Sequence, residues 1–115
     1  MLPARLVAAV AAGVLAALVV GGSPLTAQQP PAVVDMRDFA FEPRDLMVVA
    51  GTTVRWVNRD GAPHSVAMEG GRPGSSRGPI APGGEHSAIF REAGLFVYRC
   101  GVHPTMLGEV TVTAP

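Results

Sequence analysis

Near its C-terminus the chain reads Cys100-Gly101-Val102-His103-Pro104-Thr105-Met106, and a second histidine, His64, follows the turn-forming run Arg59-Asp60-Gly61-Ala62-Pro63. One thiolate, two imidazoles and one thioether suit copper in a trigonal His₂Cys site with a weak axial methionine. Soft sulfur stabilises Cu(I), and imidazole accepts Cu(II). A loop joining two adjacent strands can bring Cys100, His103 and Met106 to one point. The fourth donor must then come from a neighbouring loop, where His64 stands. Each residue alone has a plainer reading: Cys100 as a small buried hydrophobe, His64 as a strand-end histidine, Met106 as core filler. Cys-x₂-His-x₂-Met is weak by itself, and the metal reading rests on all four residues standing where strand ends would gather them. His86 shares the parity of Ala88 and Phe90 with no second donor nearby in sequence, so it reads as a structural or solvated histidine. The acidic residues are isolated singles, which fits solvated faces and not an acid/base pair.

The elements that must position these donors are short. Val33 to Met36 and Phe39 to Phe41 are β-prone, and Pro43 limits the next segment to an edge or a strand start. Thr53 to Asn58 alternates, with Val54 and Trp56 on one side and Thr53, Arg55 and Val57 on the other. His64 to Met68 reads as a further short strand. Glu69 to Gly84 is Gly, Pro, Ser and Arg with only Ile80 strongly apolar, and reads as an exposed loop. Glu85 to Phe90 alternates again, Leu95 to Cys100 puts Phe96, Tyr98 and Cys100 on one inward-facing row, and Gly108 to Thr113 is the last strand. Seven or eight such strands separated by turn signals predict a two-sheet antiparallel sandwich or barrel. No glycine loop leads into a helix, so a nucleotide cofactor has no cradle.

Composition narrows the class. The chain has 115 residues, 9 Arg and no Lys against 9 acidic residues, one cysteine, 14 Gly and 11 Pro. That is one small domain at most, without the basic field that binds nucleic acid or an anionic membrane nonspecifically. Arg5, the apolar stretch Leu6 to Val20 and the breaker Gly21-Gly22-Ser23-Pro24 form the pattern of a secretory signal, with cleavage expected after Ala27. Fifteen apolar residues fall short of the roughly 20 that span a bilayer, which disfavours the alternative of an uncleaved anchor. The expected organisation is a signal peptide over 1–27, a flexible leader over 28–32 and a folded domain over 33–115. A domain of about 80 residues is marginal without a disulfide, metal or partner. Export to an oxidising compartment makes a lone cysteine call for an explanation.

The chain resembles the small blue copper proteins, the cupredoxins, and particularly their amicyanin-like members. The resemblance runs along nearly all of the mature segment: Phe41-x-Pro43-x-x-Leu46-x-Val48-x-x-Gly51-x-Thr53-Val54-x-Trp56-x-Asn58-x-Asp60, then Pro63-His64-Ser65-Val66, then Gly94-x-Phe96-x-Tyr98-x-Cys100-x-x-His103-Pro104-x-Met106-x-Gly108. The short gap between His103 and Met106 is similar to the amicyanin loop. The family implies a Greek-key antiparallel β-sandwich, one copper ion held by His64, Cys100, His103 and Met106, and one-electron transfer. Many members carry Asn directly after the first histidine, where this chain has Ser65. A hydroxyl can still donate or accept one bond, so a weaker tie between the two donor loops is expected.

The resemblance also implies docking of redox partners at an apolar rim around His103, with an amine dehydrogenase as donor and a c-type cytochrome as acceptor. Arg59, Asp60, Arg72, Arg77 and Arg99 are candidate rim charges. A monomer is expected, and the absence of Lys with heavy Ala, Arg and Gly use fits a GC-rich bacterial genome and hence a periplasmic location. An enzyme is disfavoured, because related copper reductases and oxidases need a second domain and extra histidines, and a saturated copper offers substrate no open position. Copper delivery or storage would favour Met- or His-rich segments, which the loop from Gly70 to Gly84 lacks. A metal-free binding module would not require the complete donor set.

Overall fold

The structure is a computed structural model and describes residues 29–115. The expected signal peptide, 1–27, and Gln28 lie outside the described residues. The described residues form eight strands: β1 Ala32–Arg37, β2 Ala40–Glu42, β3 Asp45–Val49, β4 Thr52–Asn58, β5 Ala67–Met68, β6 Glu85–Phe90, β7 Gly94–Arg99 and β8 Leu107–Thr113. They form two four-stranded sheets, ordered β2-β1-β4-β6 and β3-β8-β7-β5. The first strand begins at Ala32, which pairs with Val54. No helix among the described residues is long and apolar enough to cross a membrane.

The sandwich is not purely antiparallel. β1 runs parallel to β4 and β3 parallel to β8, while the remaining pairs are antiparallel. Each parallel pair arises because the chain visits the opposite sheet before it returns, as a parallel neighbour requires a crossover. The strand expected from His64 to Met68 is also shorter. Only Ala67 and Met68 pair with β7, and His64 instead makes a single bridge to Ile80. The reason lies in the polar turn before it, which holds His64 by side-chain bonds out of line with the sheet.

Alternation along the strands builds the core. Val34, Met36, Phe41, Val54 and Trp56 face inward from the first sheet, and Val48, Phe96, Tyr98, Val110 and Val112 from the second. Burying each such side chain stabilises the fold by about 1.5–3 kcal/mol relative to leaving it in water. Aromatic rings join the sheets: Tyr98 meets Trp56 edge-on at 5.5 Å and Phe41 at 4.7 Å, and Phe90 meets Phe96 at 5.0 Å. Burial pushes the Tyr98 phenol up to about 12.

Tyr98 dictates one glycine. Gly108 pairs directly with it across β7 and β8, and the tyrosine ring lies on the space a side chain would occupy. A Cβ at Gly108 would sit 2.5 Å from the Tyr98 ring and 2.6 Å from its hydroxyl oxygen. Both residues stand close to the donor loop, so the strand pair that carries that loop has no slack at its end. Gly108→Ala is expected to destabilise the domain by about 1–3 kcal/mol, the usual range for overpacking. Urea unfolding monitored by Trp56 fluorescence checks this; an unchanged midpoint would show that Tyr98 can move aside.

Candidate metal centre

The first donor is set by a buried asparagine. Asn58, at the end of β4, donates from Nδ2 to the carbonyls of Ala62 at 2.9 Å and Ile80 at 3.0 Å, and its Oδ1 accepts the Asp60 N–H at 2.9 Å. These bonds shape the turn through Pro63 and deliver His64 to its bridge with Ile80. The His64 ring is fully buried. Its Nε2 lies 2.7 Å from Asp60 Oδ2, which fixes the tautomer: Nε2 carries the proton and donates, and Nδ1 keeps its lone pair free.

The second loop brings the sulfur. Cys100 follows β7 on the inward row of Phe96 and Tyr98 and is fully buried. The loop folds back through bonds from Cys100 N–H to the Met106 carbonyl at 3.0 Å and from Met106 N–H to the His103 carbonyl at 2.9 Å. Cys100 Sγ accepts the backbone N–H groups of Ser65 and His103, each at 3.3 Å. Two amide dipoles therefore point positive ends at the sulfur, complementing the charge of a metal-bound thiolate and tuning its donor strength.

His64 Nδ1, His103 Nδ1 and Cys100 Sγ converge. The two nitrogens are 3.3 Å apart, and each is 3.9 Å from the sulfur. A point in their plane is about 2.2 Å from all three atoms, between the usual metal–imidazole and metal–thiolate bond lengths. With two imidazoles, one sulfur and no carboxylate at that point, the donors fit a soft or borderline transition metal and not a hard oxygen-seeking cation. Met106 is buried beside Cys100 and His103 in the same loop. His86 stays apart from this group: it stacks on Trp56 at 5.5 Å, and its Nε2 donates to the Gly74 carbonyl at 2.8 Å.

The substitution of Ser65 does not break the tie between the loops. Its Oγ accepts the Gly101 N–H at 2.8 Å while its own N–H reaches the Cys100 sulfur. The rim charges expected from sequence are corrected in two places. Asp60 points inward to His64, its side chain only 10% exposed. Arg72 lies over the Phe96 ring at 3.9 Å and donates to the Leu95 carbonyl, near the start of β7 and away from Cys100. Arg59 pairs with Asp35, and Arg99 with Glu69.

Sequence reasoning missed the roles of Asp60 and Phe39. Asp60 accepts three bonds: from the Asp38 N–H at 2.7 Å, the Phe39 N–H at 2.9 Å and His64 Nε2. Burial alone would raise its carboxyl, but the bonds from Phe39, His64 and Asp38 outweigh that and leave it below the ordinary aspartate value. Phe39 looked like part of a strand, yet Asp38 and Phe39 have φ of 54° and 58°. Both form the two-residue loop that joins β1 to β2, a hairpin turn that takes positive φ at both positions and usually glycine at the second. The four-residue spacing of Asp60 and His64 was the available sequence signal for the first; no pattern announced the second.

A two-sheet sandwich with a His-Cys-His triangle at one end, two of its members buried and His103 half-buried, defines a small metal-binding β domain. The family profile described as a cupredoxin-like domain matches residues 7–112, and the chain belongs to the cupredoxin family. Amicyanin of Paracoccus denitrificans is 39% identical over 83 residues, covering 70% of this chain and 63% of that protein. Amicyanin-alpha of Methylorubrum extorquens is 31% identical over 112 residues, covering 91% and 93%. The solved oxidised state of a proline-to-alanine amicyanin variant matches with TM-score 0.66 and 36% identity, over 71% of this chain and 81% of that one.

Ser65→Ala removes the acceptor for the Gly101 N–H, and a lost bond of this kind costs about 1 kcal/mol. Chemical denaturation of the metal-free protein should show that decrease. An unaltered stability would mean that water replaces the hydroxyl.

Proposed function

We propose that this protein is a type 1 copper electron carrier, holding one copper ion through His64, Cys100 and His103 with Met106 as a weak fourth donor. The observation that carries the reading is the convergence of two imidazole nitrogens and one sulfur on a single point at bonding distance. When bound there, copper supplies a Cu(II)/Cu(I) couple that gains or loses one electron. The residues keep the rest still. Asp60 fixes His64, two N–H donors fix the sulfur, and the Cys100–Met106 backbone bond closes the loop. A donor set that moves little between oxidation states lets electrons pass without large rearrangement.

The reading is of a carrier and not an enzyme. Four protein donors leave no open position for a substrate, and His86 is engaged by Trp56 and Gly74 instead of building a second centre. Around the half-buried His103, the exposed residues are largely apolar: Val102 is 44% and Leu107 43% exposed, with Pro104 beside them. Such a rim lets a partner approach without displacing firmly bound water. The partners are a redox donor and a redox acceptor docking at this end, an amine dehydrogenase and a c-type cytochrome by analogy with the amicyanin relatives. The apolar run Leu6–Val20 behind Arg5 supports export to the periplasm.

The test is an optical and EPR study of the copper-loaded protein through reduction and reoxidation. An intense visible thiolate band with narrow copper hyperfine splitting, lost and recovered on cycling, is expected. Copper that binds without cycling would favour delivery or storage, and a colourless protein a metal-free role. Cys100→Ser should abolish the band, and a surviving band would overturn the assignment. Met106→Leu should retain copper and raise the reduction potential, as removal of a weak sulfur donor disfavours Cu(II). Loss of copper from that variant would show that Met106 holds the ion and does not merely tune it.

A further inference from the structure

The two imidazoles are not held alike. His64 is restrained by Asp60 at Nε2, by its backbone bridge to Ile80 and by complete burial. His103 is half-buried, and among the described residues its Nε2 has no hydrogen-bond partner. What touches its ring is aromatic. Phe39 meets His103 edge-on at 4.9 Å with an interplanar angle of 89°, and meets His64 at 5.2 Å and 86°. One phenyl ring thus contacts both nitrogen donors in the geometry that aromatic pairs prefer.

Nothing in the hydrophobic core requires Phe39 to be there. It is 52% exposed, it precedes β2, and the inward position of that strand is filled by Phe41. Its backbone is left-handed because Asp38 and Phe39 form the two-residue loop of the β1–β2 hairpin, a turn with positive φ at both positions, and the second of these usually takes glycine where this chain has a bulky ring. The Asp60 carboxylate holds that conformation by accepting both N–H groups, with the same group that fixes His64. A hairpin turn held by a carboxylate that is only 10% exposed places an exposed ring on both imidazoles.

We propose that Phe39 is a positioning residue for the metal centre: set by Asp60, its ring props His103 against His64 so that both Nδ1 atoms converge with the Cys100 sulfur. The proposal deepens the copper reading and uses it for one of its two readouts. Phe39 acts through the histidines and not on the metal. Removing it should free the His103 ring first, because His64 keeps its other restraints.

Two measurements test this on the full chain. In the metal-free protein, carbon-13 relaxation of the histidine rings should report an ordered His103 in the wild type, motional averaging of His103 but not His64 in Phe39→Leu, and restored order in Phe39→Tyr. In the copper-loaded protein, transfer of copper to a chelator should be about fivefold faster in Phe39→Leu, the effect of losing one aromatic pair, and near the wild-type rate in Phe39→Tyr. Asp60→Asn, which keeps the shape but weakens the clamp, should also mobilise His103 although it does not touch that ring. His103 relaxation in Phe39→Leu and Asp60→Asn equal to the wild type would overturn the proposal. A wild-type protein without a thiolate band would instead overturn the copper reading, and the relaxation experiment would still decide the role of Phe39.

Discussion

The structure depends on a sulfur atom that two loops share. Cys100 Sγ receives one N–H from Ser65, next to the first imidazole donor, and one from His103, which carries the second. A sandwich holds strands in register, but its loops are free unless something cross-links them, and here the cross-link is the candidate metal donor itself. Gly101 adds a return bond to Ser65 Oγ. The backbone segments that carry the two histidines are therefore tied to each other through the protein chain itself, and arranging a metal site in advance lowers the reorganisation its chemistry requires.

Behind that cross-link stands the aromatic layer. The inward row Phe96, Tyr98 and Cys100 runs without a break from core to centre, so the sulfur is the last member of a packed series. Tyr98 contacts Trp56 and Phe41 in the facing sheet and rests on Gly108 in the neighbouring strand. Because interiors are packed as densely as organic crystals, a displacement of Tyr98 would be transmitted to Cys100 two residues on. Core rigidity and site rigidity are one property in this domain, which helps a chain of this size do without a disulfide.

Much of this was legible in the sequence because period-two alternation is a strong signal when one face of a sheet is buried. The row of Phe96, Tyr98 and Cys100, the inward Trp56 and the donor loop after β7 all follow from it. Parallel pairing of β1 with β4 and of β3 with β8 was not legible, since alternation tells which face a residue takes and nothing about which strand lies beside it. The truncated strand at His64 was hidden for another reason. Asn58 and Asp60 read as ordinary turn residues, and only the folded chain shows their side chains replacing strand bonds. Phe39 was the least legible, because it stands at the hairpin-loop position that usually takes glycine and its spacing from Phe41 reads as strand.

The charge distribution completes the picture of a surface suited to brief encounters. The sheet flanks carry self-contained ion pairs: Asp35 with Arg37 and Arg59, Arg55 with Glu85, and Arg99 with Glu69. Exposed pairs of this sort contribute about 0–1 kcal/mol to stability, but pairing also cancels the field each charge would project. Asp60, a charge that could have stood beside the donor loops, is turned inward and spent on His64. The end of the sandwich nearest His103 exposes Phe39, Val102 and Leu107 around a ring that reaches the surface, with Arg44, paired to Asp45, beside Phe39 and Leu107. In the proposed carrier role, shape and water exclusion would weigh heavily in approach at that end. A weak, quickly reversed contact there would bring a partner within a few atoms of the imidazole, which is what a carrier that must both load and unload requires.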